Sequence, residues 1–242
     1  MCTASWIFDD AGYQLLFNRD EKLTRGKALP PDFSTKDGVR FLAPLDGDFG
    51  GTWIATNEFG VSVCLLNGDG NQCRRRSRGL LIPDLISAPS VAAICKRVCT
   101  ADFTVFAPFT LAAIGRGQPA ALIDWDGSQK AVRLQDEPCF MLTSSSFDVE
   151  GVRASRQAEF RAIVVAEDLE RFHGSHLPSR GAYSTCMHRR DAETVSFSRI
   201  HVSKGEADFY YSPAAPCAGV SGVRLKLSIF RTRLEPERTN WP

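Results

Sequence analysis

The chain of 242 residues has no excess of either charge: 29 Lys plus Arg stand against 28 Asp plus Glu, a formal net charge of +1. That balance argues against a generic binder of nucleic acid or of membrane surfaces, whose affinity comes from a basic excess gathered on one face. No apolar run approaches the ~18 residues of a membrane span, so none is expected. No basic segment leads into an apolar stretch as in a secretory signal, and a cytoplasmic protein is expected. None of the eight cysteines pairs with another as Cys-x-x-Cys, the knuckle of structural zinc sites, so neither metal nor cofactor is expected and the thiols are read as reduced. No linker rich in Gly, Ser or Pro divides the chain. Residues 1–242 therefore read as a single domain, with the composition of an ordinary globular protein.

What the chain does hold is a cysteine at position 2. Removal of Met1 would make Cys2 the first residue and place a thiol and a free α-amine on it. Their ordinary pKa values, about 8.5 and 7.7 to 8.0, let the amine act as base toward its own side chain near neutral pH. Thr3 to Phe8 and Tyr13 to Phe17 are apolar runs separated by the turn residues Asp9 to Gly12, a β-hairpin. Its pairing returns Asn18, Arg19, Asp20 and Glu21 to the neighbourhood of Cys2. After a polar, Pro-rich connection from Leu29 to Asp48, strands Trp53 to Thr56 and Val61 to Leu66 flank a turn at Asn57 to Gly60, and the second hairpin, like the first, ends in an Asn, Asn67. Arg74, Arg75, Arg76 and Arg78 then surround Ser77, an exposed charge run or an anchor for a ligand carboxylate or phosphate.

Ser90 to Thr100 reads as a helix with Cys95 and Cys99 as buried thiols on one face, and Cys64 reads as core. Phe109 to Ile114, Ala120 to Trp125, Ala131 to Leu134 and Cys139 to Leu142 read as four successive strands. Val149 to Ala166 has helical spacing, and Glu167 to Phe172 is a second helical piece. Thr194 to Val202, Glu206 to Tyr211 and Val223 to Phe230 return to strand. Antiparallel strands interrupted by helices indicate an α+β architecture of sheet on sheet with helical cover.

Five motifs in order, Met1-Cys2, Phe17-Asn18-Arg19-Asp20-Glu21, Gly50-Gly51-Thr52-Trp53, Leu66-Asn67 and Arg76-Ser77-Arg78-Gly79, resemble the NRDE family, that of the transport and Golgi organisation protein 2, named for its Asn-Arg-Asp-Glu motif. A looser likeness continues through Leu142-Thr143-Ser144 and through Cys186-Met187-His188-Arg189. The resemblance implies a four-layer αββα N-terminal-nucleophile hydrolase-like sandwich of antiparallel sheets, related to the cholylglycine hydrolase and penicillin acylase group. In that group the N-terminal Cys attacks an amide carbonyl, an Asp holds its α-amine, an Arg lowers the thiol pKa, and strand-end Asn residues help form the oxyanion hole. Cys2, Asp20 and Asn67 match these roles here. The hydrolases place their Arg three residues before the Asp, where this chain has Phe17; Arg19 stands next to Asp20 instead, on the opposite face of a continuing strand. Where they have Thr-Asn, this chain has Thr143-Ser144, a shorter donor.

Two functions follow from the resemblance. One is an N-terminal-cysteine amidohydrolase or acyltransferase acting on an amide or thioester of a small acyl substrate, with Cys2, Arg19, Asp20, Asn67 and Ser144 catalytic and Asn18, Trp53, Arg76, Arg78, His188 and Arg189 binding substrate. The other is a carrier without turnover for a lipid-like ligand, an acyl-CoA or haem, with the arginine cluster on an anionic head group.

Overall fold

The computed structural model describes residues 2–68, 76–163 and 166–230. Its elements are β1 (Cys2–Phe8), β2 (Tyr13–Lys22), β3 (Leu29–Lys36), β4 (Val39–Leu45), β5 (Ile54–Asn57), β6 (Val61–Asn67), α1 (Leu81–Leu85), α2 (Val91–Thr100), β7 (Phe109–Gly115), β8 (Ala120–Trp125), β9 (Lys130–Gln135), β10 (Cys139–Ser144), α3 (Val149–Phe160), α4 (Ala166–His173), β11 (Ala192–Val202), β12 (Glu206–Ser212) and β13 (Val223–Ser228). They form two antiparallel sheets. One runs β10-β1-β2-β11-β12-β13 and the other β3-β4-β5-β6-β7-β8-β9.

Strand alternation explains the layering. On β1, Cys2, Ala4 and Trp6 face the second sheet with Tyr13, Leu15 and Phe17 of β2, and meet Ile54, Cys64, Leu66 and Ala112 in an apolar core between the sheets. The other face of the second sheet packs Val63, Leu65 and Leu111 against Ile82, Leu85, Ile94 and Val98 of α1 and α2. The outer face of the first sheet packs Leu16, Met141 and Phe197 against Phe160, Leu169 and Phe172 of α3 and α4. The result is the expected four-layer αββα sandwich, with each buried large apolar side chain contributing about 1.5–3 kcal/mol. No helix among the described residues is long and apolar enough to cross a membrane.

Four expectations need correction. The connection from Leu29 to Asp48 is the hairpin β3–β4 at a sheet edge, and Pro30 and Pro31 fall where its register shifts, at an edge strand that tolerates the missing donors. The strands at Lys130–Gln135 and Cys139–Ser144 do not pair: β9 closes one sheet, while β10 crosses to the other and pairs with β1. The long helix stops at Phe160, and α4 follows separately. Cys95 is buried, but Cys99, in the last turn of α2, is exposed. Arg74 and Arg75 lie outside the described residues.

Polar groups are also buried on the helix-facing side of the first sheet. Asn18 donates its amide to the carbonyls of His173 and Thr185 at 2.8 and 2.9 Å, and its oxygen lies 3.0 Å from His173 Nδ1. Ser5 Oγ lies 2.8 Å from His173 Nε2. These partners suit a neutral ring, with Nδ1–H donating to Asn18 and Nε2 accepting from Ser5. Burial, with the nearby Arg156 charge, holds the His173 pKa down to about 3.

Unfolded histidine titrates near 6.5, so between that pH and about 3 the unfolded chain binds a proton that the folded chain refuses. Stability is therefore lost as pH falls through this window, by an amount on the order of 5 kcal/mol. Urea unfolding at ~pH 7 and ~pH 4 checks this: the decline in the wild type should clearly exceed that in His173→Gln. Equal declines would remove His173 as the source.

Candidate active site

Cys2 is the first residue of β1, and pairing on both sides sets its surroundings: Arg19 of β2 is its partner on one side and Ser144 of β10 on the other. Thr143 Oγ1 donates to the Cys2 carbonyl at 3.3 Å, holding the strand end. Cys2 is only 7% exposed, yet it lines a cleft of about 560 Å³. The walls of that cleft bring together Arg19, Asp20, Trp53, Asn67, Arg76 and Arg78, so seven of the eleven residues expected in the site share one space. Burial pushes the Cys2 thiol above its ordinary range, and the Asp20 charge acts in the same direction; the positive chain terminus and a hydrogen bond from the Asp20 backbone amide work against it.

Cross-strand partners share a face, so Arg19 lies on the Cys2 side of the sheet and Asp20 on the other. Arg19 lies two residues along from Phe17 on that same face. The Arg19 guanidinium stacks 4.4 Å from the Trp53 ring centroid and donates to Asp46 Oδ2 at 2.6 Å. Arg25 donates to the same oxygen at 2.7 Å. Asp46 therefore anchors two cations at the cleft wall, a role that reading 29–48 as a connection had missed.

Asp20 is 1% exposed. Its Oδ1 accepts from Thr194 Oγ1 at 2.7 Å, and its Oδ2 lies 3.5 Å from Arg156 Nη1. A register shift between Thr194 and Ser196 in β11 puts Thr194 opposite Asp20. Arg156 was not among the expected site residues. It sits on α3 between Val152 and Phe160, donates to Thr3 Oγ1 at 2.6 Å and Thr143 Oγ1 at 2.9 Å, and is only 1% exposed. Burial lowers its pKa, and the charge of Asp20 counters that. A sequence signal existed: 152, 156 and 160 are one helical stripe, and an arginine on an otherwise apolar stripe needs a buried partner.

Asn67, at the end of β6, stands where this cleft meets two neighbouring ones, and Ser144 lines both neighbours. Ser144 Oγ is buried with no hydrogen-bond partner among the described residues. Arg78 donates to the Pro108 carbonyl at 2.7 Å and makes no ion pair among the described residues; Arg76 pairs with Asp84 at 3.1 Å. Three expected substrate contacts lie elsewhere. Asn18 is fully buried, hydrogen-bonded to His173 and Thr185 beneath α4, and lines none of these clefts. Arg189 lines the adjoining cleft with Asp20, Asn67 and Ser144 and pairs with Asp191 at 2.8 Å. His188 lines a cavity of about 680 Å³ that shares the Arg19, Glu21, Lys22 and Arg25 wall with the cleft but does not reach Cys2.

A family model described as Transport and Golgi organisation 2 matches residues 1–180. Among curated proteins no sequence matches the chain. Solved structures do. The chain is similar to the N-acylethanolamine-hydrolyzing acid amidase ortholog of Caenorhabditis elegans at 11% identity and a TM-score of 0.60, covering 90% of this chain and 94% of that one. It is similar to penicillin V acylase from Agrobacterium tumefaciens at 9% identity and a TM-score of 0.58, covering 94% and 86%. A variant of conjugated bile acid hydrolase from Clostridium perfringens gives 12% identity and a TM-score of 0.58 over 96% and 97%. At these identities the likeness is one of fold alone.

Removing Arg156 takes from the buried Asp20 carboxylate the guanidinium 3.5 Å away, which costs about 3–5 kcal/mol. Denaturant unfolding of Arg156→Met should show that loss. Arg153→Ala, an exposed change on the same helix, should stay within about 0.5 kcal/mol. Equal stabilities for the two variants would mean that the buried pair does not hold the site.

Proposed function

The chain belongs to the Transport and Golgi organisation 2 family, and from that membership and its cleft we propose that it is an N-terminal-cysteine amidohydrolase or acyltransferase acting on an amide or thioester of a small acyl substrate. The observation that carries this reading is the meeting of Cys2, Arg19, Asp20 and Asn67, from two different sheets, at one cleft.

In the proposed cycle, Met1 is removed and the new α-amine, held by Asp20, takes the Cys2 proton. The thiolate attacks the substrate carbonyl carbon, and the oxyanion that forms is met by the Asn67 amide and the Ser144 hydroxyl. Collapse expels the amine or thiol, which takes the proton from the α-ammonium and leaves a thioester on Cys2. Water, or an acceptor amine, then attacks the thioester and returns a proton to the sulfur by way of the α-amine. Arg78, without a carboxylate partner among the described residues, suits an anionic group at the far end of the substrate. The depth of Cys2 favours a second reading, a carrier that holds the acyl ligand without turnover.

Hydrolysis of a panel of N-acyl amides and acyl thioesters separates the two. Catalysis predicts turnover that is abolished by Cys2→Ala and lowered about 10²–10³-fold in kcat, with little change in KM, by Asn67→Ala. Binding of the same acyl compounds with no turnover, equal in wild type and Cys2→Ala, would support the carrier.

A further inference from the structure

The segment from 174 to 191, which leaves α4 and enters β11, meets the loop after β12 at a cluster that the cysteine spacing had argued against. One ligand-capable atom each of His176, Cys186, His188 and Cys217 lies within 4.8 Å of all the others. We propose that these four residues bind a zinc ion that staples the two loops together.

The distances suit that ion. With Zn–S of about 2.3 Å and Zn–N of about 2.0–2.1 Å, the sulfur–nitrogen edge of a tetrahedral site is about 3.6 Å. His188 Nε2 lies 3.5 Å from Cys186 Sγ and 3.3 Å from Cys217 Sγ. The chemistry is that of structural zinc, two thiolates and two imidazoles. Two further observations point the same way. His188 turns Nε2 toward both sulfurs, and Glu193 Oε2 lies 3.7 Å from its other nitrogen, on the side where a carboxylate backs a ligating imidazole; the Arg180 guanidinium, 3.4 Å from the same nitrogen, can only donate and gives way when Nδ1 carries the proton. His176 Nε2 is buried with no hydrogen-bond partner among the described residues, a costly state for a ring nitrogen that nothing coordinates. The ligands are spaced Cys-x-His with a His upstream and a Cys far downstream, so only the fold assembles them. On binding, each thiol gives its proton to solvent and its sulfur lone pair to the metal, with no change of oxidation state.

The staple would act on the candidate site through one residue. Met187, between two of the ligands, donates its amide to Thr194 Oγ1 at 2.9 Å, and that hydroxyl donates to Asp20 Oδ1. The ion thus fixes the strap that positions Asp20.

Titration of the full chain, untagged, reduced and stripped of metal, with Co²⁺ tests the assignment. The expected result is saturation at about one ion per chain with the thiolate charge-transfer and strong visible bands of a tetrahedral site, displacement by Zn²⁺, and a rise in unfolding temperature on loading. Cys217→Ser, a change at an exposed position, should weaken binding at least about 10–100-fold, while Cys99→Ser should not change it. Absence of saturable tetrahedral uptake, binding unaltered by Cys217→Ser, or a Cys186–Cys217 disulfide in the mass of the native chain would each overturn it.

Discussion

The register of β1 between β2 and β10 is the constraint on which the site depends. Because side chains alternate along a strand, a slip of one residue would move Cys2 out of the space between the sheets and put Thr3 there. Trp6 and Ala4 in the inner core resist such a slip, and Thr3 and Ser5, hydrogen-bonded on the outer face, resist it from the other side. In the observed register a thiol faces the cleft while the backbone at its strand end lies beside Asp20. The Asn-Arg-Asp-Glu stretch then divides its labour by parity. Arg19 serves the inner face and the cleft, whereas Asn18 and Asp20 serve the outer one.

That outer face holds an unusual amount of buried polarity for a sheet covered by helices. Asn18, His173 and Ser5 form one hydrogen-bonded group, and Asp20, Thr194, Arg156, Thr3 and Thr143 form a second cluster of ion pair and hydrogen bonds. A buried carboxylate persists because a guanidinium and a hydroxyl meet it; each alone would be expensive. The arrangement fixes Asp20 so that little reorganisation would be needed when a charge appears at the strand end, the property that makes a preorganised site effective.

Much of this was legible in the sequence because it is local. The first hairpin, with its turn at Asp9 to Gly12, already predicts that Arg19 returns to Cys2, and the strand end at Asn67 follows from the next hairpin. The αββα layering followed from the family resemblance. What could not be read depends on contacts distant along the chain. Nothing in Cys139 to Ser144 says that it leaves its neighbours for the opposite sheet, and only that crossing brings Ser144 beside Cys2. Asn18 belongs to the motif yet serves packing, because which face of a strand is covered by helices is a tertiary fact. The Pro30-Pro31 pair concealed a strand because edge strands tolerate residues that central strands do not. Arg156 left a trace in its helical stripe, whereas the Cys186-Met187-His188-Arg189 stretch stood out in the sequence without any sign that His176 and Cys217 join it.

The central claim, that Cys2 acts as an N-terminal nucleophile, is tested most directly by intact-mass measurement of the native chain before and after exposure to a reactive acyl ester. The account predicts a chain lacking Met1 that gains a single acyl group on Cys2, with no such gain in Cys2→Ala. A native chain that retains Met1, and so has no α-amine on Cys2 to take the thiol proton, would contradict it.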